Sequence, residues 1–392
     1  MPQVAAGRPP WQGAASRPVR HKHLSKVVGA AGIGQASGVR RLVILVAGLC
    51  ALSVWPHAAT AASDFPNPGW ERVDAALERK DDAEARRIAE ELAAKGDPEA
   101  INGLAVLVAQ GIGGPADPRR SNALLEQAVA AGSVGAKLNV ARSLASGPDK
   151  SQWPRALSLL QDVIKEPKLA QVAYYPLGRI MTLGGHGRVS ERQGVKYLNG
   201  AIKFEPRNAD AQFLVARAFQ NGWGGTEKDS RKAFTHFLAA AKLGDERALR
   251  YVGMARLNGD GVARDPPAAL ADFKAAAELG NVSAMIDVAV MLAIGEGVSA
   301  DPALAREWYL KAAGQGSAHA LRGLGAMLFV GDGGDVDPLT GRAYLELAID
   351  AGDKLAPQAA EQLFDELSPS ERAAVDQLKA DWLKAHPVPK AD

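Results

Sequence analysis

Ala248-Leu-Arg-Tyr-Val-Gly-Met-Ala-Arg-Leu-Asn-Gly-Asp-Gly-Val262, followed by Asp265-Pro266 and Lys274-Ala-Ala-Ala-Glu-Leu-Gly280, is the stretch that decides the fold of this chain. Ala248, Val252, Gly253 and Ala255 fall at i, i+4, i+5 and i+7, one face of a helix over Asp245–Asn258. Gly259-Asp-Gly261 then supplies residues that tolerate positive φ where the chain leaves that helix. Asp265 offers a side-chain acceptor for free N–H groups, and Pro266 suits a first helical turn that needs no donor. A second helix runs over Ala268–Glu278 with an Ala275-Ala276-Ala277 stripe, and Gly280 stops it. The unit reads helix, loop, helix.

The unit recurs. Gly244, Gly280, Gly316 and Gly352 are 36 residues apart, as are Asp265-Pro266, Asp301-Pro302 and Asp337-Pro338. The pairs Gly259/Gly261, Gly295/Gly297 and Gly331/Gly333 keep the same step, and Gly96 to Gly132 repeats it farther back. An alanine opening each first helix appears at Ala100, Ala136, Ala173, Ala211, Ala248, Ala284 and Ala320. A period above the 34 of ordinary tetratricopeptide repeats points to a solenoid of helical hairpins with no β-structure. The two central units are looser: one has Ser146-Gly-Pro-Asp149 and the next Gly184-Gly-His-Gly187 where the others have Gly-x-Gly.

With its Gly-x-Gly-Val loop, Asp265, Ala269 and the Lys274–Gly280 ending, the quoted stretch resembles a Sel-one-like repeat. The following unit, with Gly295-Glu-Gly-Val298, Asp301-Pro302, Trp308-Tyr309 and Ala312-Ala313, is equally similar to it. The resemblance implies an all-α, right-handed α-solenoid of tetratricopeptide type with a period of about 36 residues. We divide the chain into a leader at 1–61, a linker and N-terminal capping helices at 62–95, seven repeats at 96–355, and C-terminal capping helices and tail at 356–392. Ser368-Pro369 starts the last helix. Bare repeat ends would expose core, which is why caps are expected.

The net charge of +2 over 392 residues hides two segments. Residues 1–61 hold seven basic residues and no acidic one, leaving 39 basic against 44 acidic in the rest. Arg40-Arg41, the apolar run 42–55 and the small-residue site Ala59/Ala61 have the order of a secretory signal peptide, with cleavage near Ala61. The expected localisation is periplasmic or secreted; the alternative is an inner-membrane anchor at 42–55, which is short against the ~20 residues of a full span. Membrane contact is expected only through an uncleaved leader. The acidic remainder argues against a nucleic-acid partner. Cys50, the single cysteine, excludes an internal disulfide framework and a Cys-based zinc site.

Motifs for chemistry are scarce. No H-E-x-x-H, Walker loop or paired-carboxylate motif occurs, so no catalytic, cofactor or metal residue is assigned and no cofactor is expected. His186, in a glycine-rich loop, is the one histidine in a site-like setting, with an exposed loop residue as the bland alternative. The inner face of the first helices carries more signal. Arg142, Arg179 and Arg217 occupy one equivalent position in three consecutive units, with Tyr175, Phe213 and Arg250 one turn away. A ladder of guanidinium groups flanked by aromatics suits forked hydrogen bonds and stacking to an anionic partner. Solvated arginines and ordinary packing between helices are the competing explanation. Trp223 is either a loop anchor or a staple between repeats, and Trp308-Tyr309 belongs to the core.

Proteins of the resembled family act as adaptors, some in polysaccharide export and some on a membrane sensor. The resemblance therefore implies a non-enzymatic protein–protein interaction scaffold in the bacterial envelope, in exopolysaccharide export or in regulation of a membrane sensor. The expected partner is an envelope protein, with an anionic polysaccharide as a second candidate. A cell-wall or glycan-related enzyme subunit and a structural spacer without specific ligand are the alternatives.

Overall fold

The computed structural model of the protein describes residues 69–387 apart from 185–187 and 364–366. The leader, Cys50, the linker up to residue 68 and His186 lie outside the described residues. An N-terminal pair, α1 (Trp70–Glu78) and α2 (Asp82–Ala94), precedes seven helical hairpins. Pair 1 is α3 (Pro98–Gln110) and α4 (Pro118–Ala130); pair 2 is α5 (Val134–Ser146) and α6 (Trp153–Val163). Pair 3 is α7 (Tyr174–Leu183) and α8 (Arg188–Phe204); pair 4 is α9 (Ala209–Asn221) and α10 (Ser230–Lys242). Pair 5 is α11 (Glu246–Asn258) and α12 (Pro266–Glu278); pair 6 is α13 (Val282–Ile294) and α14 (Pro302–Gly314). Pair 7, α15 (Ala318–Val330) and α16 (Pro338–Asp350), is followed by α17 (Ala356–Leu363) and α18 (Pro369–Ala385). From α1 to α17 each helix packs on its chain neighbours, α18 packs on α16, and no strand occurs among the described residues. The architecture is an all-α, right-handed α-solenoid.

Local chemistry fixes the helix ends. Asp97, Ser133, Asn208, Asp245, Asn281 and Ser317 cap first helices, each accepting a hydrogen bond from the backbone N–H three residues on. Asp117, Asp229, Asp265, Asp301 and Asp337 do the same for second helices. Such a cap contributes about 1 kcal/mol. Ser368 and Glu371 form a reciprocal capping box at the start of α18.

The loops stack as well as the helices. Gly297 has φ +79°, and a Cβ there would lie 2.6 Å from the Pro266 carbonyl carbon, so the loop of pair 6 rests directly on the start of α12. Gly261 against Ser230 and Gly333 against Pro302 repeat that contact in the adjoining pairs. The buried residues form successive clusters along the stack, and the buried face of α11 is Ala248, Val252, Gly253 and Ala255, the four residues the periodicity picks out. At Gly253 an added Cβ would meet the Phe273 ring at 2.8 Å, which is how closely α12 approaches.

Pairs 2 and 3 depart from this pattern. A 3-10 turn at Lys150–Gln152 replaces the glycine loop, and α6 starts without a side-chain cap. Residues 164–173 run as successive turns, and α7 also lacks a side-chain cap. α8 extends to 17 residues where the regular second helices have 13.

Candidate functional site

The first helices carry the six residues singled out by spacing, and the structure assigns most of their polar atoms to neighbouring repeats. Arg179, on α7, donates from Nη1 to the Ala145 carbonyl near the end of α5, and its guanidinium lies 5.9 Å from the Trp153 ring. Arg217, on α9, donates to the Tyr251 hydroxyl of α11 at 2.6 Å. Its guanidinium is 5.7 Å from the Trp223 ring and 5.1 Å from that of Tyr251, while its Nε is buried without a hydrogen-bond acceptor. Arg250, on α11, holds both oxygens of Asp287 on α13, at 2.5 and 3.3 Å. These three arginines join repeats.

Tyr175 and Phe213 belong to the same seam. The Tyr175 hydroxyl donates to Asp210 Oδ2 at 2.6 Å, from α7 to α9. Burial and then the Asp210 charge push the phenol well above its ordinary pKa. Asp210 also pairs with Arg247 of α11, which reaches Asp245 at 2.6 Å. Burial works to raise the Asp210 pKa, but the Tyr175 and Arg247 hydrogen bonds outweigh it and hold the carboxyl below its usual range. Phe213 is buried, 5.7 Å from Phe237 and 5.6 Å from Tyr251, with the Arg247 guanidinium 4.5 Å from its ring. It is therefore core, a correction to its expected place on an open surface: the ring fills the space between α9, α10 and α11.

Arg142 stands apart. Half-buried on α5, it lines a cavity of about 270 Å³ with Tyr175, Phe204, Glu205 and Asn208, beside Gln171 and Val172 of the connection between pairs 2 and 3. Burial lowers the Arg142 pKa, and the Glu205 charge opposes that shift. Elsewhere, Trp223 packs partly buried in the core beside Arg217, as a staple does, and Tyr309 is buried with Trp308 partly so. Among the described residues no cluster of three His, Cys, Asp or Glu side chains is placed to hold a metal, and no helix is long and apolar enough to cross a membrane.

What spacing alone missed is the partner of each arginine. Those partners sit 34 to 37 residues away in the chain, one repeat forward for Arg217 with Tyr251 and Arg250 with Asp287, and one repeat back for Arg179 with Ala145. Asn139 donating to Asn102 at 2.9 Å is a further link of the same kind. The 36-residue step was itself the available signal, since it brings Asp287 alongside Arg250.

The model of the Sel1 repeat matches residues 98–133, 209–245, 247–281, 282–317 and 318–353. The two irregular pairs are not among the matched segments. No curated protein matches the chain. Among solved structures, a protective antigen of uropathogenic Escherichia coli strains displaying an SLR fold is similar with a TM-score of 0.66 at 20% identity. The match covers 78% of this chain and 64% of the antigen, so this chain spans less than two thirds of that protein. A Sel1 repeat protein from Oxalobacter formigenes gives a TM-score of 0.54 at 25% identity, covering 78% of this chain and 85% of that one.

Proposed function

This chain is a Sel1-repeat protein, and we propose that it works as a non-enzymatic scaffold that holds a protein partner in the bacterial envelope. Sel1 repeat proteins generally mediate protein–protein interactions. The observation that carries the reading is the consecutive packing of helical hairpins, which lets side chains from many repeats contribute to one surface. A partner that spans several repeats gains contacts from each of them without any one being strong. The inner face around Arg142, Arg179, Arg217, Tyr175 and Arg250 is part of that proposed surface, although three of its arginines also tie repeats together.

The envelope assignment rests on the leader: seven basic residues without an acidic one, an apolar run at 42–55 and small residues before Ala62. On this reading the exported chain begins near Ala62 and works in the periplasm, in exopolysaccharide export or in control of a membrane sensor. Intact-mass measurement of the exported protein is expected to find the leader removed; a chain retaining 42–55 would instead be membrane-anchored. The scaffold reading is tested by affinity capture from envelope extract with the purified chain. A defined partner retained through a salt wash is expected, and recovery of background alone would reduce the protein to a spacer.

A further inference from the structure

Gly96, Gly132, Gly244, Gly280, Gly316 and Gly352, all at positive φ, mark junctions from one hairpin to the next. The two junctions that remain have no glycine. Residues 164–173, from α6 to α7, carry Glu166-Pro167, and residues 205–208, from α8 to α9, carry Glu205-Pro206. These two exceptions meet at one place. Gln171 and Val172 of the first and Glu205 and Asn208 of the second line the cavity of about 270 Å³ beside Arg142. Departures from the period of a repeat protein often fall on its binding face.

The lining selects a ligand. Arg142 supplies one cation and Glu205 one carboxylate, close enough for the Glu205 charge to act on the guanidinium. The Glu205 N–H donates to the Ala201 carbonyl at 2.7 Å, which fixes the backbone from which that carboxylate projects. Much of the remaining wall is apolar: Val172, the ring of Tyr175, whose hydroxyl is given to Asp210, and Phe204, which is 51% exposed. A ligand of one sign is penalised here, because an anion drawn to Arg142 approaches Glu205 and a cation drawn to Glu205 approaches Arg142. A ligand with both charges gains from each. A guanidinium has five N–H donors and a carboxylate about four acceptor positions, so the two side chains can pair with each other and still engage it. The volume equals about nine waters at ~30 Å³ each, which sets the ligand at roughly nine non-hydrogen atoms. Free leucine and methionine have that size.

We propose that this cavity binds a free apolar α-amino acid, with its carboxylate on Arg142, its ammonium on Glu205 and its side chain against Phe204 and Val172. Few polar groups that fix orientation within an apolar wall are the usual make-up of a small-molecule site. The site goes beyond the scaffold reading and needs no protein partner, so envelope capture and ligand binding succeed or fail separately.

The test is calorimetric titration of the full chain with free amino acids. Leucine or methionine is expected to bind saturably. Leucinamide, which lacks the carboxylate, and N-acetyl-leucine, which lacks the ammonium, should bind at least about tenfold more weakly. Two variants assign the charges. Arg142→Gln should weaken leucine at least about tenfold and leave leucinamide no weaker, whereas Glu205→Gln should weaken leucine and leave N-acetyl-leucine no weaker. A cavity damaged only in shape loses all three ligands together. Phe204→Ala, at an exposed position, should cost leucine severalfold in affinity and keeps the test open if Arg142→Gln does not fold. No saturable binding of any apolar amino acid up to about 10 mM would overturn the proposal. So would equal binding of leucine, leucinamide and N-acetyl-leucine to the wild-type chain, or their parallel loss in both charge variants. Inorganic phosphate bound more tightly than leucine would also overturn it, by making Arg142 a simple anion site.

Discussion

Arg250 shows what a regularly spaced charge does in a stacked repeat. Its guanidinium holds Asp287 of the next hairpin by two contacts, so a cation legible in the sequence as a ladder neighbour serves as a bridge. The recurrence of arginine at one helical position is readable from spacing, but the direction of each side chain is set by a residue about one repeat away. Tyr175 makes the point quantitatively. Replacing it by Phe removes the donor to Asp210, a loss of about 1 kcal/mol for a hydrogen bond of this kind. The pH dependence has a definite sign. The Asp210 pKa is depressed in the folded chain, so its contribution is complete above the unfolded value near 3.9 and is lost as the pH falls through the lower folded value. In Tyr175→Phe the folded value rises toward the unfolded one, so less stability is lost on acidification and the two curves should converge as the pH falls. Urea melts of both chains between pH 7 and pH 3 read this directly; parallel curves would mean that Tyr175 does not help to ionise Asp210.

At the scale of the element, two glycines with the same left-handed backbone separate strain from collision. Gly280 has φ +93° with open space around an added Cβ, whereas Gly297 has φ +79° and a backbone neighbour at 2.6 Å. Alanine at either position pays the conformational cost, of order 1 kcal/mol. Only Gly297→Ala must also push the loop off the start of α12. It is expected to lower the melting temperature by more than Gly280→Ala, by several degrees for each additional kcal/mol in a domain of modest size. Equal shifts in a thermal melt would show that the loop yields without cost. These elements were legible because their signals are local: Asp265 before Pro266, Gly259 after Asn258, and alanine where helices touch. In pair 2 the glycine loop is absent, and the chain solves the same connection with a 3-10 turn that no repeat marker announces. Ile294 and Val330 have the composition of core residues, yet both are exposed, because exposure depends on which neighbour fails to cover a side chain and not on its type.

Across the whole molecule, a solenoid has no central core to average out local weakness, since each hairpin draws its stability from itself and its neighbours. Pairs 5 and 6 begin all four of their helices on a side-chain cap. In α6 and α7 both caps are missing, and the Trp153 Nε1 is buried with no hydrogen-bond partner. Two caps at about 1 kcal/mol each, with about 1–3 kcal/mol for the orphaned donor, oppose the large side chains gathered there, among them Leu160, Leu177 and Ile180. The uncapped stretch over 153–183 should therefore open before the capped stretch over 246–314. Native-state hydrogen exchange is expected to show amides of α6 and α7 exchanging on the order of tenfold or more faster than those of α11 to α14. Equal protection along the stack, or slower exchange at the centre, would mean that the aromatic and aliphatic packing of pairs 2 and 3 outweighs their missing caps.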